Sequence, residues 1–219
     1  GRSLRTYHNE GLWHEVYSVL RPGDYVVIQF GHNDIGPIDS QKERGEIATP
    51  KDSSHVYRME STGMYKTIYS FGWYIRKMID DCREKGAIPV LLSFTPRNEW
   101  FDGDGQVHGT FYPVKQKVDG SYIERRNDNY IPQWCYEIAQ EQGVDFVDIH
   151  NLTADWLDKN CRTKARASSY FNHDHTHTSL KGARLNAANL AVGLKKAKSP
   201  LASLLKKKPG IYPKTTDKK

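Results

Sequence analysis

The sequence has little cysteine, and this scarcity excludes two classes of protein. Only three cysteines occur in 219 residues, Cys82, Cys135 and Cys161. They are too few and too scattered for a disulfide scaffold or a cysteine-based zinc site. Two of them fall within helix-like patterns, and we therefore expect buried thiols that bind no metal.

Long hydrophobic runs are also absent. No apolar run approaches the roughly 20 residues that a helix needs to span a bilayer, so we expect no membrane partner. The composition, 37% hydrophobic and 26% charged, is typical of one compact domain with a substantial core.

Excess positive charge is confined to one end of the chain. The formal net charge is +6, but residues 195–219 carry nine lysines and one aspartate, which leaves the preceding residues with a net charge of −2. A slightly acidic body with a basic tail is typical of a solvated terminus, so we expect no nucleic-acid partner. We expect one domain over residues 1–198 and a basic, poorly ordered tail over 199–219.

Strand and helix patterns alternate along the chain. Nearly continuous apolar runs predict buried strands, and apolar residues at spacings of three and four predict helices. The predicted strands are 24–30, 88–94 and 144–149, and the predicted helices are 10–20, 64–86, 128–142, a short one capped by Asn151 and a last one capped by Ser179. The polar segments 35–60 and 95–127 are predicted loops.

This alternation predicts the α/β class, with right-handed βαβ units and a parallel sheet between two layers of helices. Three strands are few for such a sheet, which usually has about five or six. We therefore expect a three-layer α/β/α sandwich whose first strand or strands precede residue 1.

The first candidate for a functional site is Gly31-His32-Asn33-Asp34, directly after the first predicted strand. In an open α/β sheet, sites form where loops leave the carboxyl ends of the strands. A glycine there allows a sharp turn, and the amide of Asn33 could donate to a developing oxyanion. The alternative is that Asn33 and Asp34 only cap a turn.

The second candidate segment holds three alternating histidines and an aspartate just ahead of the last predicted helix. Asp174 and His177 are three residues apart, and one turn of helix would bring their side chains into contact. The carboxylate would then orient the imidazole and leave its other nitrogen as a general base. Two alternatives remain open, a metal site on His173, His175 and His177, and helix capping by Asp174 and Ser179.

Together these two segments resemble the SGNH (GDSL-like) hydrolases. Residues 1–7 (Gly-Arg-Ser-Leu-Arg-Thr-Tyr), 10–13 (Glu-Gly-Leu-Trp) and 22–26 (Pro-Gly-Asp-Tyr-Val) look like the rhamnogalacturonan acetylesterase branch, carbohydrate esterase family twelve. The likeness extends from residue 1 to about residue 194. It implies a flavodoxin-like SGNH hydrolase fold, no cofactor, and Ser-His-Asp hydrolysis of acetyl esters on a polysaccharide such as pectic rhamnogalacturonan.

The resemblance also implies a role for each motif residue. The Gly-x-Asn-Asp block of the family supplies a side-chain oxyanion donor, which corresponds to Asn33, and its Gly-Arg-Ser block supplies a backbone donor, which corresponds to Gly1. The Asp-x-x-His block supplies the orienting acid and the base, which correspond to Asp174 and His177. Ser3 matches a structural serine of the family.

One motif of the family does not occur in the sequence. The nucleophile of these hydrolases is the serine of a Gly-Asp-Ser motif at the end of the first strand, and the 219 residues contain no Gly-Asp-Ser. Without that serine only weak residual catalysis is expected. We expect an upstream segment or chain to supply the first strand and the serine. The alternative is a catalytically inactive SGNH-fold carbohydrate-binding protein.

Candidate substrate-binding residues lie in and beside the two long loops. They are His32, Arg97, Asn98 and Trp100, which could contact sugar rings or pair with uronate carboxylates. An ordinary loop role is an equally good interpretation for each of them. The resemblance further implies a secreted or periplasmic location and an acetylated polysaccharide or oligosaccharide as partner.

Overall fold

A computed structural model of the chain describes residues 1–98, 114–118, 121–125, 131–161 and 164–205, with 114–118 and 121–125 described by their backbone alone. The strands are β1 (Tyr25–Ile28), β2 (Ser54–Arg58), β3 (Tyr65–Tyr69), β4 (Ile88–Leu92), β5 (Val114–Val118), β6 (Ser121–Arg125) and β7 (Asp145–Val147). The helices are α1 (Leu4–Asn9), α2 (Leu12–Val19), α3 (Phe71–Glu84), α4 (Ile131–Gln142), α5 (Ile149–Asn160), α6 (Lys164–Ala167) and α7 (Leu180–Lys196), with 3₁₀ turns at Ser168–Tyr170 and Pro200–Leu204.

The α/β class and the parallel sheet are confirmed. β1 pairs in parallel with β4, from Tyr25 opposite Ile88 to Ile28 opposite Leu91, and the sheet order is β1, β4, β7. β4 is buried along most of its length, as a strand covered on both faces should be. β1 is less buried than predicted, with Val27 43% exposed, because β1 lies at the edge of the sheet that the described strands form.

The described residues divide into two compact units, one of residues 1–94 with 131–146 and one within 95–130 with 147–205. The first unit has a large core in which the sheet residues Ile28 and Leu91 join the α3 residues Ile75 and Ile79. Burying an aliphatic side chain of this size contributes roughly 1.5–3 kcal/mol, so this core is the main source of stability of the unit. No helix in the described ranges is both long and apolar enough to cross a membrane.

Helix α1 was not predicted, because its six residues are too few for a periodic apolar pattern. Its start is fixed by Ser3, whose Oγ accepts the Thr6 backbone N–H while the Thr6 hydroxyl oxygen accepts the Ser3 N–H. Such reciprocal caps stabilise a helix start by about 1 kcal/mol. Ser3 is completely buried, so the structural role expected for it is confirmed.

The helix predicted over 64–86 is wrong in its first third. Residues 65–69 form β3, which pairs antiparallel with β2, and so part of the predicted loop 35–60 is a strand as well. Tyr65-Lys66-Thr67-Ile68-Tyr69 is rich in aromatic and β-branched residues, which favour a strand. The helix begins only after Ser70, whose Oγ accepts the Trp73 N–H at 3.1 Å.

The second unit has its own core, in which Leu157 of α5 and Leu185 of α7 pack with Tyr170 and Phe171. The predicted cap of α7 is confirmed, since Ser179 Oγ accepts the Gly182 N–H at 3.2 Å.

Two other predictions for this unit are corrected. α5 is capped by Asp148 and not by Asn151, whose own N–H donates to Asp148 Oδ1 at 3.1 Å. The hairpin of β5 and β6 lies within the predicted loop 95–127. The three cysteines are buried thiols, as expected.

The close packing at Gly72, in the first turn of α3, generates a stability prediction. A Cβ at Gly72 would lie 2.0 Å from the Pro50 carbonyl oxygen, a backbone atom that cannot move without shifting the loop. Gly72→Ala is expected to lower the free energy of unfolding by roughly 1–3 kcal/mol in urea titrations. Gly36→Ala is the matched control, since a Cβ there meets no atom within 4 Å. Equal stabilities of the two variants would contradict the prediction.

Candidate active site

The loop after β1 is held by the side chain of Asp34. Asp34 is 1% exposed, its Oδ1 accepts the Leu4 N–H at 2.7 Å, and its Oδ2 accepts the Gly31 N–H at 2.8 Å. The carboxylate therefore joins the start of α1 to the loop that leaves β1. Two observations require glycine at position 31. Its φ of 150° is rarely adopted by residues with a side chain, and a Cβ there would lie 2.6 Å from the Phe94 ring. The turn-capping interpretation thus holds for Asp34.

Asn33 and Gly1, the two residues assigned as oxyanion donors, lie next to each other. Asn33 Nδ2 is 3.0 Å from the position that a Cβ on Gly1 would occupy. Both line a cavity of about 310 Å³ together with Gly31, His32 and Phe94. The His32 ring packs edge-on against Phe94 with ring centroids 4.8 Å apart. The structure therefore places one of the predicted substrate-binding residues beside both predicted oxyanion donors.

Arg44 joins these residues, and the sequence analysis did not identify it. Its Nη1 donates to Asn33 Oδ1 at 2.9 Å, and its Nη2 donates to the Gly1 carbonyl oxygen at 2.6 Å. Arg44 lies in the charged run Gln41-Lys42-Glu43-Arg44 of the long polar loop. Nothing in that run distinguishes Arg44 from a solvated charged residue. The only relevant sequence signal is the length of the polar loop, since long loops of this kind are often functional.

A second carboxyl group is buried beside Asp34. Glu46 is 3% exposed and Asp34 is 1% exposed, and Glu46 Oε2 accepts the Arg5 N–H at 3.2 Å. Burial raises the pKa of Asp34 to about 6, a rise limited by the backbone N–H groups that the carboxylate accepts. Burial and the neighbouring Asp34 raise the pKa of Glu46 well above its usual value. The fold therefore favours the protonated form of both carboxyl groups relative to the unfolded chain.

Asp174 and His177 form the predicted pair, but not on a helix. Residues 171–178 form a loop that is closed by an antiparallel bridge between Phe171 and Thr178. Within it, Asp174 Oδ1 accepts the N–H groups of Thr176 and His177, each at 2.7 Å. Asp174 Oδ2 lies 2.6 Å from His177 Nδ1. The contact thus comes from a side-chain-closed turn, and the helical spacing expected to produce it is wrong.

The electrostatics of this pair fix the tautomer of the imidazole. The His177 ring and the backbone N–H groups of His177 and Thr176 hold the pKa of Asp174 well below its usual range. An ionised carboxylate can only accept, so Nδ1 carries a proton, and Nε2 is the nitrogen that can accept one. The His177 side chain is 77% exposed and that of Asp174 is 42% exposed, which leaves the pair accessible to solvent within its unit.

Backbone contacts support the loop that carries the pair. The Asn98 N–H donates to the His175 carbonyl oxygen at 2.6 Å, and the Asn172 N–H donates to the His177 carbonyl oxygen at 2.7 Å. Asn98 is 4% exposed, so this buried residue helps to hold the loop in position.

The remaining predicted site residues are less informative. Arg97 is half-buried, and Trp100 lies outside the described residues. A role of His32, Arg97, Asn98 or Trp100 in binding substrate stays a prediction. Among the residues that the structure describes, no three His, Cys, Asp or Glu side chains are arranged to hold a metal ion.

Residues 2–185 match the GDSL-like Lipase/Acylhydrolase family. The chain is 33% identical over 187 residues to a rhamnogalacturonan acetylesterase of Emericella nidulans, an alignment that covers 85% of this chain and 67% of that protein. It is 27% identical over 222 residues to the rhamnogalacturonan acetylesterase RhgT of Bacillus subtilis, covering 96% of this chain and 77% of the relative. A probable rhamnogalacturonan acetylesterase of the same bacterium, YesY, is 25% identical over 217 residues, or 95% and 79% of the two chains.

A solved structure shows the same fold. The crystal structure of protein YXIM from Bacillus subtilis matches with a TM-score of 0.61 at 19% sequence identity. The match covers 91% of this chain but 44% of the other, so this chain spans less than half the length of that protein. At this level of identity the likeness concerns the fold alone.

The buried carboxyl pair generates a pH prediction. Since the folded-state pKa values of Asp34 and Glu46 are raised, the folded state binds more protons than the unfolded state between about pH 4 and the raised values. Stability therefore falls as pH rises through this window. Glu46→Gln removes one of the two titrating groups, so its stability relative to the wild type should increase by about 1 kcal/mol or more between pH 4.5 and 8. Urea titrations at several pH values measure this difference.

Glu141→Gln serves as the control for that experiment. Glu141 is exposed, and its hydrogen bond to Arg76 lowers its pKa, so the folded state does not favour its protonated form. The stability difference of this variant should change by less than about 0.5 kcal/mol over that range. If the Glu46→Gln difference is equally constant, the two buried carboxyl groups do not titrate as inferred.

Proposed function

Because the chain belongs to the GDSL-like Lipase/Acylhydrolase family, we propose that it is a serine-type carbohydrate acetylesterase that releases acetate from O-acetylated rhamnogalacturonan. The observation that carries the proposal is the 2.6 Å contact between Asp174 and His177, which prepares an imidazole to act as general base. The substrate follows from the rhamnogalacturonan acetylesterases that the chain resembles.

The proposed nucleophile is a serine outside the 219 residues, because these contain no Gly-Asp-Ser. The edge position of β1, with Val27 43% exposed, supports an additional strand that pairs there and carries the serine. An unpaired strand edge presents backbone N–H and carbonyl groups that favour pairing with another strand. The proposal therefore includes an upstream segment or chain that supplies both the strand and the serine.

In the first half of the reaction, the serine Oγ attacks the acetyl carbonyl carbon and His177 Nε2 takes the hydroxyl proton. The imidazolium then gives this proton to the sugar oxygen, the ester bond breaks, and an acetyl-serine remains. In the second half, water attacks the acetyl-serine with the same imidazole as base, and acetate leaves. Asp174 holds the proton on Nδ1 throughout and stabilises the imidazolium.

The negative charge that develops on the carbonyl oxygen needs preorganised donors. We assign Asn33 Nδ2 and the peptide N–H of Gly1 to this role, in keeping with their adjacency at one cavity. Removing one such donor typically lowers kcat by about 10²–10³-fold. We also assign His32, which lines the same cavity, to contact with the sugar. A polymeric substrate of this kind fits a secreted or periplasmic enzyme.

A second candidate function is carbohydrate binding without catalysis. The absence of Gly-Asp-Ser from the 219 residues favours it. The two functions differ in one measurement, which is acetate release by the protein that includes its upstream segment. Binding of the acetylated polysaccharide with no acetate released would support the binding protein.

His177→Ala tests the proposed mechanism. In the protein that includes the serine, this change should lower kcat/KM for acetate release from acetylated rhamnogalacturonan by about 10³–10⁴-fold, since it removes the general base. The control is His173→Asn, which changes a neighbouring histidine and keeps a residue type that tolerates the positive φ of 56° found there. It should retain most of the activity.

Two results would overturn the mechanism. One is a His177→Ala variant that keeps most of its activity while folding normally. The other is an equal loss in the His173→Asn variant, which would favour a site built on several histidines. The 219-residue chain without the serine should show at most a residual rate, about 10³-fold or more below that of the protein with it.

A further inference from the structure

One guanidinium group contacts both residues assigned to oxyanion binding. Arg44 Nη1 donates to Asn33 Oδ1 at 2.9 Å, and Nη2 donates to the Gly1 carbonyl oxygen at 2.6 Å. The guanidinium is planar and rigid, so hydrogen bonds from its two terminal nitrogens fix the positions of both partners relative to each other.

The contact with Asn33 also determines which way the amide points. A guanidinium has only donors, so the Asn33 atom that faces it must be the oxygen. Since oxygen and nitrogen lie on opposite sides of the amide carbon, Nδ2 is directed toward Gly1, where it lies 3.0 Å from a Cβ position. Nδ2 also donates to the Arg2 carbonyl oxygen at 3.4 Å, so both contacts favour this orientation, and the contact with Arg44 is the shorter of the two. Without Arg44 only the longer contact would hold the amide, which could then turn over more readily and present its oxygen to the oxyanion, a repulsive arrangement.

Arg44 adds positive charge beside the same donors. In the described ranges no carboxylate forms an ion pair with Arg44. The neighbouring carboxylate, that of Glu43, pairs instead with Arg5 at 3.3 Å and with Lys66 at 2.5 Å. A cation on the amide oxygen polarises the amide and makes its N–H groups stronger donors. This effect is larger for a developing anion than for a neutral ester, and it therefore favours the transition state.

The residues on both sides of Arg44 are anchored to Arg5, which is 1% exposed. Arg5 Nη2 contacts the Glu43 carboxylate, and Arg5 Nη1 donates to the Gly45 carbonyl oxygen at 2.8 Å. Glu43 has a positive φ of 46°, a conformation that costs about 1 kcal/mol for such a residue and needs support from its surroundings. Arg44 therefore projects from a fixed point although the loop has no regular secondary structure.

We propose that Arg44 is a positioning residue for the esterase reaction, which presets Asn33 Nδ2 and the Gly1 backbone to bind the oxyanion. This inference rests on the proposed function. It goes beyond the family motifs, because it assigns a role to a residue of the polar loop that belongs to none of them.

Steady-state kinetics of the serine-containing protein provide the first test. Arg44→Ala should lower kcat for acetate release by about 10²-fold and change KM by less than about threefold, as expected when an oxyanion donor is misplaced. Arg44→Lys keeps the positive charge but loses the paired Nη1 and Nη2 donors, so its kcat should lie between that of the wild type and that of Arg44→Ala. The control is Arg21→Ala, an exposed arginine that precedes the amino end of β1, whereas the site lies beyond its carboxyl end.

Two further readouts separate positioning from general stability. Added guanidinium ion at millimolar concentration should raise kcat of Arg44→Ala and not that of the wild type. In an Asn33→Ala background, Arg44→Ala should lower kcat by less than about tenfold more, because the amide is gone and only the contact with Gly1 remains to be lost. A kcat of Arg44→Ala within threefold of the wild type, or equal losses in both backgrounds, would overturn the proposal.

A measurement that needs no activity keeps the proposal separate from the proposed function. In ¹⁵N-labelled protein, the side-chain amide signals of Asn33 are identified by their loss in Asn33→Ala. These signals should move in Arg44→Ala and stay in place in Arg21→Ala. If they are unchanged in both, Arg44 does not hold the amide, whatever the enzyme does. If they move but the wild type with its serine releases no acetate, the proposed function fails and the positioning contact stands.

Discussion

The arrangement of the first unit depends on one buried carboxylate, that of Asp34. It accepts the Leu4 N–H with one oxygen and the Gly31 N–H with the other, and hydrogen bonds to an ionised group contribute about 1.5–3 kcal/mol each. Through these two bonds the start of α1 and the loop after β1 are placed together, so that Gly1 and Asn33 meet. The cost is a charge held out of water, which is seen in the raised pKa of Asp34. Arg5 and Arg44 extend the same organisation into the loop that follows.

Much of the parallel sheet and its helices could be predicted from the sequence, because buried strands such as 88–92 are continuous apolar runs whose signal is local. The juxtaposition of Asp174 and His177 was also predictable, since three residues separate them and a side-chain-closed turn, like a helix, brings such residues together. The reason given for that contact was wrong although the contact itself is present. Asn33 and Gly1 were assigned only through the family resemblance, because nothing local in their sequence shows that residues 32 apart are neighbours.

What could not be predicted was decided by contacts that no local pattern signals. The segment of β3 has the apolar spacing of a helix but the residue types of a strand, and its pairing with β2 decides between the two. α5 is capped by Asp148 instead of Asn151, and the sequence offers both as good caps three positions apart. Arg44 and Glu46 belong to an aperiodic loop, and their hydrogen bonds to the Gly1 carbonyl oxygen and the Arg5 N–H join them to residues about 40 positions earlier. For these two residues the determining partner is distant in sequence.

The way in which Arg5 holds the polar loop has an evolutionary consequence. Two of its hydrogen bonds go to the backbone carbonyl oxygens of Ile38 and Gly45, groups that every amino acid supplies. The course of this segment is therefore insensitive to the identity of residues such as Ile38, whose side chains are free to diverge between relatives. A lineage could in this way change the chemical character of the surface beside Asn33 while Asn33 itself keeps its position, so that this surface diverges without disturbing the loop that carries it.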